Sequence, residues 1–417
     1  MDRFGLLGRS LAHSLSPQIH AFFGDYPYDI IEKEPEELKK FFQNCPYRAI
    51  NVTIPYKKDV MPFCDEIDEI AKRIGSVNTI CFDNDAVRGY NTDYAGFTYL
   101  LQQNGIAVRG KKALVLGSGG SSVTVCCVLR DLGAREVVVI SRTGENNYQN
   151  LSRHADAGLI VNTTPVGMYP KNLQSPVDLQ LFPQCEAVVD IIYNPLKTAL
   201  LLQAEQRGIK AVNGLEMLVA QGWHAAQLFH RKPFADTLVQ TTVAAIERDF
   251  RNVVLVGMPG CGKSTLMPLL AEVLGKRGVD TDTLVEQLAG CTIPELFEKR
   301  GEAAFRDLES HVIAESGKQN GQVIATGGGA VLRGENCLAL RQNGVVVFLN
   351  RPLGKLSTAG RPLSHSDEAV KKLYAQRLPL YESVADIKVE VADDVQQTLQ
   401  AVLTSLNAFV KKEGEHL

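Results

Sequence analysis

Seven short apolar runs, rich in β-branched residues, limit what this chain can fold into. They are KKALVLG (111–117), REVVVIS (135–141), GLIVNTT (158–164), EAVVDII (186–192), NVVLVG (252–257), QVIATGG (322–328) and GVVVFLN (344–350). None alternates polar with apolar residues, so each reads as a strand buried on both faces. Helical patterns fill the intervals, and that alternation predicts parallel sheets of α/β type. A length of 417 residues calls for two or three domains. The segment ADTLVQTTVAAIERDF (235–250) has helical spacing without Gly or Pro, and a new strand begins at Val253. The main boundary is therefore expected near residues 249–251, with a softer one near 95–110.

Composition removes several classes of function. With 44 basic and 47 acidic residues the net charge is -3, which argues against a general binder of nucleic acid or of membrane surfaces. No apolar run approaches the ~20 residues of a membrane span, and MDRFGLLGRS lacks a secretory apolar segment. The nine cysteines are scattered with no C-x-x-C pair, as expected of reduced thiols in a cytoplasm. The expected partners are small molecules, and a homodimer is compatible with this reading.

The front half carries a strand, a glycine-rich turn and a helix around GSGGSS (117–122). Gly117 and Gly119 permit a tight turn and close backbone approach to a pyrophosphate, and Ser122 is small enough for helix packing. The next strand ends at Ser141-Arg142-Thr143, where a ribose-reading residue belongs. No carboxylate stands there for a free 2′-hydroxyl, whereas Arg142 suits a 2′-phosphate, favouring NADP over NAD. HSLSP (13–17) puts Ser14 and Ser16 two apart before a helix-opening Pro, and in an extended segment both would point one way. NVTIPYK (51–57), VNT (77–79) and YNTDYAGF (90–97) add Lys57, Asn78, Thr92 and Asp93.

Taken in order, HSLSP, NVTIPYK, GSVNT, NTDYAGF, LGSGGSS, NTTPVGM (162–168), DIIYNPLKT (190–198) and NGLEMLVAQG (213–222) are specific. Residues 1–248 resemble shikimate dehydrogenase. The resemblance implies a substrate domain, a Rossmann domain and reversible reduction of 3-dehydroshikimate to shikimate by NADPH. By motif, Ser14, Ser16, Thr53, Asn78, Asp93, Tyr193 and Gln221 would bind shikimate, with Lys57 and Asp93 as the catalytic pair. NADP(H) would lie on Gly117, Ser118, Gly119, Gly120, Ser121, Ser141, Arg142, Thr143 and Gly214. Only about twenty residues separate Arg142 from NTTPVGM, so a strand–helix unit is expected to be trimmed.

The back half opens on GMPGCGKST (257–265), a strand followed by G-x-x-x-x-G-K-S and a helix. Successive backbone N–H groups and the helix N-terminus cradle phosphates in such a loop. Lys263 would reach the β- and γ-phosphates, and Ser264 would ligate Mg²⁺. The loop alone leaves GTPase, motor and kinase open, but no N-K-x-D signature or helicase set accompanies it. Instead DTD (280–282), GEAAFRDLE (301–309), TGGGAV (326–331), GRPLS (360–364) and QRLPLYE (376–382) follow. Arg306 and Glu309 have helical i, i+3 spacing.

This set resembles shikimate kinase over about residues 251–400. The resemblance implies ATP-dependent phosphorylation of the shikimate 3-hydroxyl. Gly257, Pro259, Gly260, Cys261, Gly262, Lys263, Ser264, Thr265 and Arg361 would hold ATP, and Ser264 with Asp280 would hold Mg²⁺. Asp282, Arg306, Gly328 and Arg377 would hold shikimate, with Lys263, Asp282 and Arg361 catalytic. The family often has an arginine where this chain has Ser357.

The expected architecture is α/β throughout. A substrate domain (about 1–95), a Rossmann NADP domain (about 100–230) and a closing helix to 249 precede a P-loop domain of nucleoside-monophosphate-kinase type (250–417) with a parallel sheet. Two alternatives stand beside the bifunctional enzyme. One is a catalytically silent sensing protein, and the other a quinate/shikimate dehydrogenase using NAD.

Overall fold

The computed structural model describes all residues except 1, 12–13, 84–85, 357–366 and 416–417. The chain forms two compact units that do not follow its linear order. The first comprises Met1–Pro165, Pro176–Tyr193 and Gln203–Ile246, and the second Val166–Ser175, Asn194–Leu202 and Glu247–Leu417.

The first unit holds two sheets. Strands β1 (Phe4–Gly8), β2 (Tyr28–Glu32), β3 (Ala49–Val52), β4 (Glu66–Ile67), β5 (Thr79–Phe82) and β6 (Val87–Tyr90) lie in the order β2-β1-β3-β5-β6-β4. This sheet is mixed, because β3 with β5 and β5 with β6 pair antiparallel. Four residues join β5 to β6, too few for the crossover that a parallel pair needs. The second sheet is wholly parallel. It runs β11 (Lys210–Val212), β10 (Ala187–Asp190), β9 (Leu159–Asn162), β7 (Lys112–Leu116), β8 (Glu136–Ile140). β7, β9 and β10 are buried along their whole length, as their unbroken apolar runs require. β8 and β9 flank β7, so the strand order reverses where GSGGSS leaves β7, which is where such sheets bind ligands. Between β8 and β9 stands one 3₁₀ turn, Leu151–His154, so the trimmed connection has no α-helix.

Two helices tie the sheets together. Thr92–Gln103 buries Phe97, Leu100 and Leu101 in the core of the parallel sheet. Leu215–His230 places Met217 in that core and carries Phe229 back to the mixed sheet. There Phe229 stacks on Phe4 with centroids 5.1 Å apart.

The second unit is built on a parallel sheet ordered β13 (Arg277–Asp280), β14 (Gln322–Ala325), β12 (Asn252–Val256), β15 (Gly344–Asn350), β16 (Ile387–Glu390). β12 is central and fully buried, and it delivers the P-loop to the helix Lys263–Leu274. The segments 166–175 and 194–202 belong to this unit. Gln342, fully buried, accepts from Asn172 Nδ2 at 2.5 Å and donates to the Asn172 carbonyl at 2.6 Å. Asn343 Oδ1 accepts from Leu196 N at 2.8 Å.

Candidate functional site

In the first unit, Lys57 comes from the turn after β3 and Asp93 from the first turn of the helix Thr92–Gln103. Lys57 Nζ donates to Asp93 Oδ2 at 2.6 Å, with side chains 27% and 16% exposed. The pair is shielded enough to hold its geometry and open enough to meet a ligand.

Asn78 caps that helix from outside. Its Oδ1 accepts from Thr92 N at 2.7 Å and from Thr92 Oγ1 at 3.2 Å, satisfying one of the N–H groups that a helix start leaves without a partner. Asp93 therefore stands next to a residue pinned by Asn78. Ser14 Oγ donates to Ser16 Oγ at 3.2 Å. Leu15 between them is helical (φ -81, ψ -5), so the two hydroxyls converge through a turn and not an extended segment. Thr53 directly follows β3, and Val52 N donates to the Asn78 carbonyl at 2.8 Å. Gln221 lies on Leu215–His230 directly over Gly96 of the Asp93 helix. Tyr193 is partly buried beyond β10, and burial raises its phenol above the usual range.

The NADP positions sit at the carboxyl end of the parallel sheet. Gly119 N-caps the helix Gly120–Asp131, and open space lies over both glycines. Ser118 and Ser121 flank them, and Ser122 Oγ donates to the Gly119 carbonyl at 2.6 Å. A pyrophosphate fits there, against free backbone at a helix N-terminus. Much of the NTTPVGM motif is structural. Thr163 Oγ1 donates to the Leu116 carbonyl at 2.7 Å, and Asn162 Nδ2 donates to Asp190 Oδ1 at 3.0 Å, joining β7, β9 and β10. Gly214 cannot carry a side chain, since a Cβ would lie 2.0 Å from the Ile191 carbonyl oxygen. Arg142 and Thr143 are exposed on the loop after β8, and the Ser141 hydroxyl bonds the Thr143 carbonyl.

In the second unit, Pro259, Gly260, Gly262, Lys263, Ser264 and Thr265 line a cavity of about 570 Å³ together with Asp282, Arg306, Gly328 and Arg377. Gly257 and the buried Cys261 complete the P-loop backbone. Lys263 is 7% exposed and donates to the Gly257 and Met258 carbonyls at 2.9 and 3.0 Å. Ser264 Oγ donates to Asp280 Oδ2 at 2.6 Å. That hydroxyl and carboxylate are hard oxygen donors beside a phosphate loop, a set that fits Mg²⁺. The other Asp280 oxygen caps the helix Thr281–Ala289, so the residue also anchors the fold. Among the described residues, no group of three or more His, Cys, Asp or Glu could hold a metal by itself.

Asp282 and Glu309 give the cavity its charge. Burial, and then the neighbouring Asp280 carboxylate, push Asp282 up to about 6. Glu309 is fully buried and accepts from Arg306 Nη1 at 2.7 Å. Asp282 Oδ1 and Glu309 Oε1 are buried with no hydrogen-bond partner. Both would lie within 2.7 Å of a Cβ placed on Gly327. Only a glycine at 327 lets these two carboxylate oxygens pack so close to the backbone. Arg377 is 3% exposed with a partnerless Nε. Gly328 accepts from the Tyr381 hydroxyl at 2.5 Å through its carbonyl. Glu309 was visible in sequence as an i, i+3 neighbour of Arg306, but its burial and free oxygen were not. Arg361 and Ser357 lie outside the described residues.

Fold and sites together define a two-site α/β enzyme: a dinucleotide-type oxidoreductase unit and a P-loop small-molecule kinase unit. Residues 6–80 match the family model for the shikimate dehydrogenase substrate binding domain, and residues 259–407 that for shikimate kinase. A shikimate dehydrogenase (NADP(+)) of Clostridium beijerinckii is 36% identical over 271 residues, 60% of this chain and 100% of that protein. One from Dehalococcoides mccartyi is 37% identical over 276 residues, 58% and 96% of the two chains. A chorismate mutase/shikimate 5-dehydrogenase fusion protein from Clostridium acetobutylicum superposes with TM-score 0.57 at 35% identity, over 59% of this chain and 97% of that one. The Thermus thermophilus shikimate 5-dehydrogenase in complex with NADP(H) and shikimate superposes with TM-score 0.53 at 34% identity, over 59% and 99%. The chain belongs to the shikimate dehydrogenase family and carries a shikimate kinase domain behind it.

Proposed function

We propose that the chain catalyses two consecutive steps, reduction of 3-dehydroshikimate to shikimate and phosphorylation of shikimate at its 3-hydroxyl. The front-half reading is carried by Lys57 Nζ at 2.6 Å from Asp93. Negative charge builds on a ketone oxygen as it is reduced, so a proton donor must stand ready. The Lys57 ammonium supplies that proton, and Asp93 holds the ammonium in place and accepts from a ring hydroxyl. NADPH, when bound, supplies the hydride. Gly119 and Gly120 meet its pyrophosphate, and the exposed Arg142 meets its 2′-phosphate.

The back-half reading rests on Asp282, which lines the same cavity as Lys263. As a carboxylate Asp282 accepts the acceptor's hydroxyl proton and orients its oxygen. Arg306 and Arg377 suit the acceptor's carboxylate, since a guanidinium bonds one bidentately. Lys263 and Arg361 offset charge on the phosphoryl group as it moves. Mg²⁺, when held by Ser264 and Asp280, neutralises phosphate charge. We place the chain in the cytoplasm with small molecules as its partners; no helix among the described residues is long and apolar enough to cross a membrane.

Two experiments test the halves separately. Shikimate, ATP and Mg²⁺ should yield ADP with no nicotinamide nucleotide present, and no ADP would remove the kinase assignment. Arg142→Ala should raise the KM for NADPH about tenfold, the value of one exposed charge-assisted contact, and leave that for NADH almost unchanged. An unaltered NADPH:NADH preference would show that Arg142 does not read the 2′-phosphate, and would favour the NAD-using alternative.

A further inference from the structure

Behind Asn78 lies a buried polar chain whose proton directions the geometry dictates. Asn51, 5% exposed, is the hub. One end of its amide faces the Asn78 backbone carbonyl at 3.4 Å and Thr79 Oγ1 at 3.1 Å. A carbonyl only accepts, so that end is the Nδ2 amine. Asn51 Oδ1 therefore faces the Tyr28 hydroxyl at 2.8 Å and His20 Nε2 at 3.1 Å. His20 must then carry its proton on Nε2, and Nδ1 accepts from the Tyr26 hydroxyl at 2.8 Å.

The same logic runs forward. A backbone N–H only donates, so the Asn78 atom facing Thr92 N at 2.7 Å is the oxygen. Thr79 Oγ1 takes a proton from Asn51, and its own proton goes to Asn78 Oδ1 at 3.1 Å or to Thr92 Oγ1 at 3.2 Å. Thr92 Oγ1 in turn bonds Asn78 Oδ1 at 3.2 Å. By either route the donors converge on Asn78 Oδ1. The oxygen is fully committed, and among the described residues Asn78 Nδ2 has no partner.

We propose that His20, Asn51 and Thr79 are positioning residues that fix the Asn78 amide as a hydrogen-bond donor to the substrate. This wall of the site then selects a substrate that presents an acceptor oxygen to it. The inference rests on the reading of Asn78 as a substrate contact. Burial supports it by pushing the His20 imidazolium down to about 3, so the ring stays neutral and its tautomer stays set.

Two measurements on the full chain test it. In protein labelled with 15N-histidine, NMR between pH 6 and 8 should find His20 neutral with its proton on Nε2. A proton on Nδ1 would overturn the chain. Thr79→Val, which keeps shape and removes the hydroxyl, should raise the KM for 3-dehydroshikimate about tenfold, the worth of one hydrogen bond. The KM for NADPH and the kinase constants should not move, and Thr79→Ser should restore the substrate KM to within about twofold. An unchanged KM in Thr79→Val, or an equal loss in Thr79→Ser, would leave Thr79 a packing residue only. If Thr79→Val does not fold, the tautomer decides. A native chain that reduces no 3-dehydroshikimate removes the functional reading while the tautomer still judges the chain.

Discussion

Lys57→Ala is expected to lower kcat for 3-dehydroshikimate reduction by about 100-fold or more, the usual worth of a positioned general acid, with a much smaller effect on KM. Loss in kcat rather than KM marks an interaction made mainly in the transition state. Asp93→Asn tests the other partner. It keeps an oxygen near Lys57 but removes the charge that holds the ammonium at 2.6 Å. Kinase turnover should be untouched in both variants, because Lys57 and Asp93 belong to the first unit and the P-loop cavity to the second. Stopped assays of NADPH oxidation and ADP release on the same preparations make that comparison. An undiminished kcat in Lys57→Ala would take the proton-donor role away from Lys57.

Asp282→Asn should separate activity from stability. Kinase kcat should fall by about 100-fold or more, since the amide cannot accept the acceptor's proton. Stability should move the other way. A buried carboxylate raised from 3.8 to about 6 prefers to be protonated in the folded state, so ionising it opposes folding. The cost is absent below pH 3.8, grows as pH rises towards about 6, and is complete above that. At about 1.4 kcal/mol per pH unit it amounts to roughly 3 kcal/mol. At pH 8 the asparagine variant should therefore unfold at higher urea in the kinase unit than the native chain, with the difference shrinking as pH falls towards 4. Native kinase activity should also decline as pH drops below about 6. A variant that is less stable at pH 8 would contradict the burial account.

Much of this was legible in the sequence. Unbroken apolar runs marked seven of the ten strands of the two parallel sheets, because a strand buried on two faces leaves no polar alternation, while β11, β13 and β16 carry exposed residues and no such run. The motif residues Lys57 and Asp93, and Ser264 and Asp280, are brought into contact as pairs. What escaped the sequence was non-local. Asn51 and Thr79 sit opposite one another only because β3 and β5 pair antiparallel in that register. Their shared role behind Asn78 has no local signature. Gly327 matters because a Cβ there would strike Asp282 and Glu309, residues from two helices, while the sequence motif drew attention to Gly328. The membership of segments 166–175 and 194–202 in the second unit depends on Gln342 and Asn343, polar residues whose burial no periodicity reveals.

The central claim is that one chain makes shikimate and then phosphorylates it. The direct measurement mixes the purified full chain with 3-dehydroshikimate, NADPH, ATP and Mg²⁺, and follows NADPH oxidation and ADP formation together. The account predicts that ADP appears only after NADPH oxidation begins and approaches one ADP per NADPH consumed. NADPH consumption with no ADP would leave the kinase unit inactive on that product, and neither signal would favour a sensing protein over an enzyme.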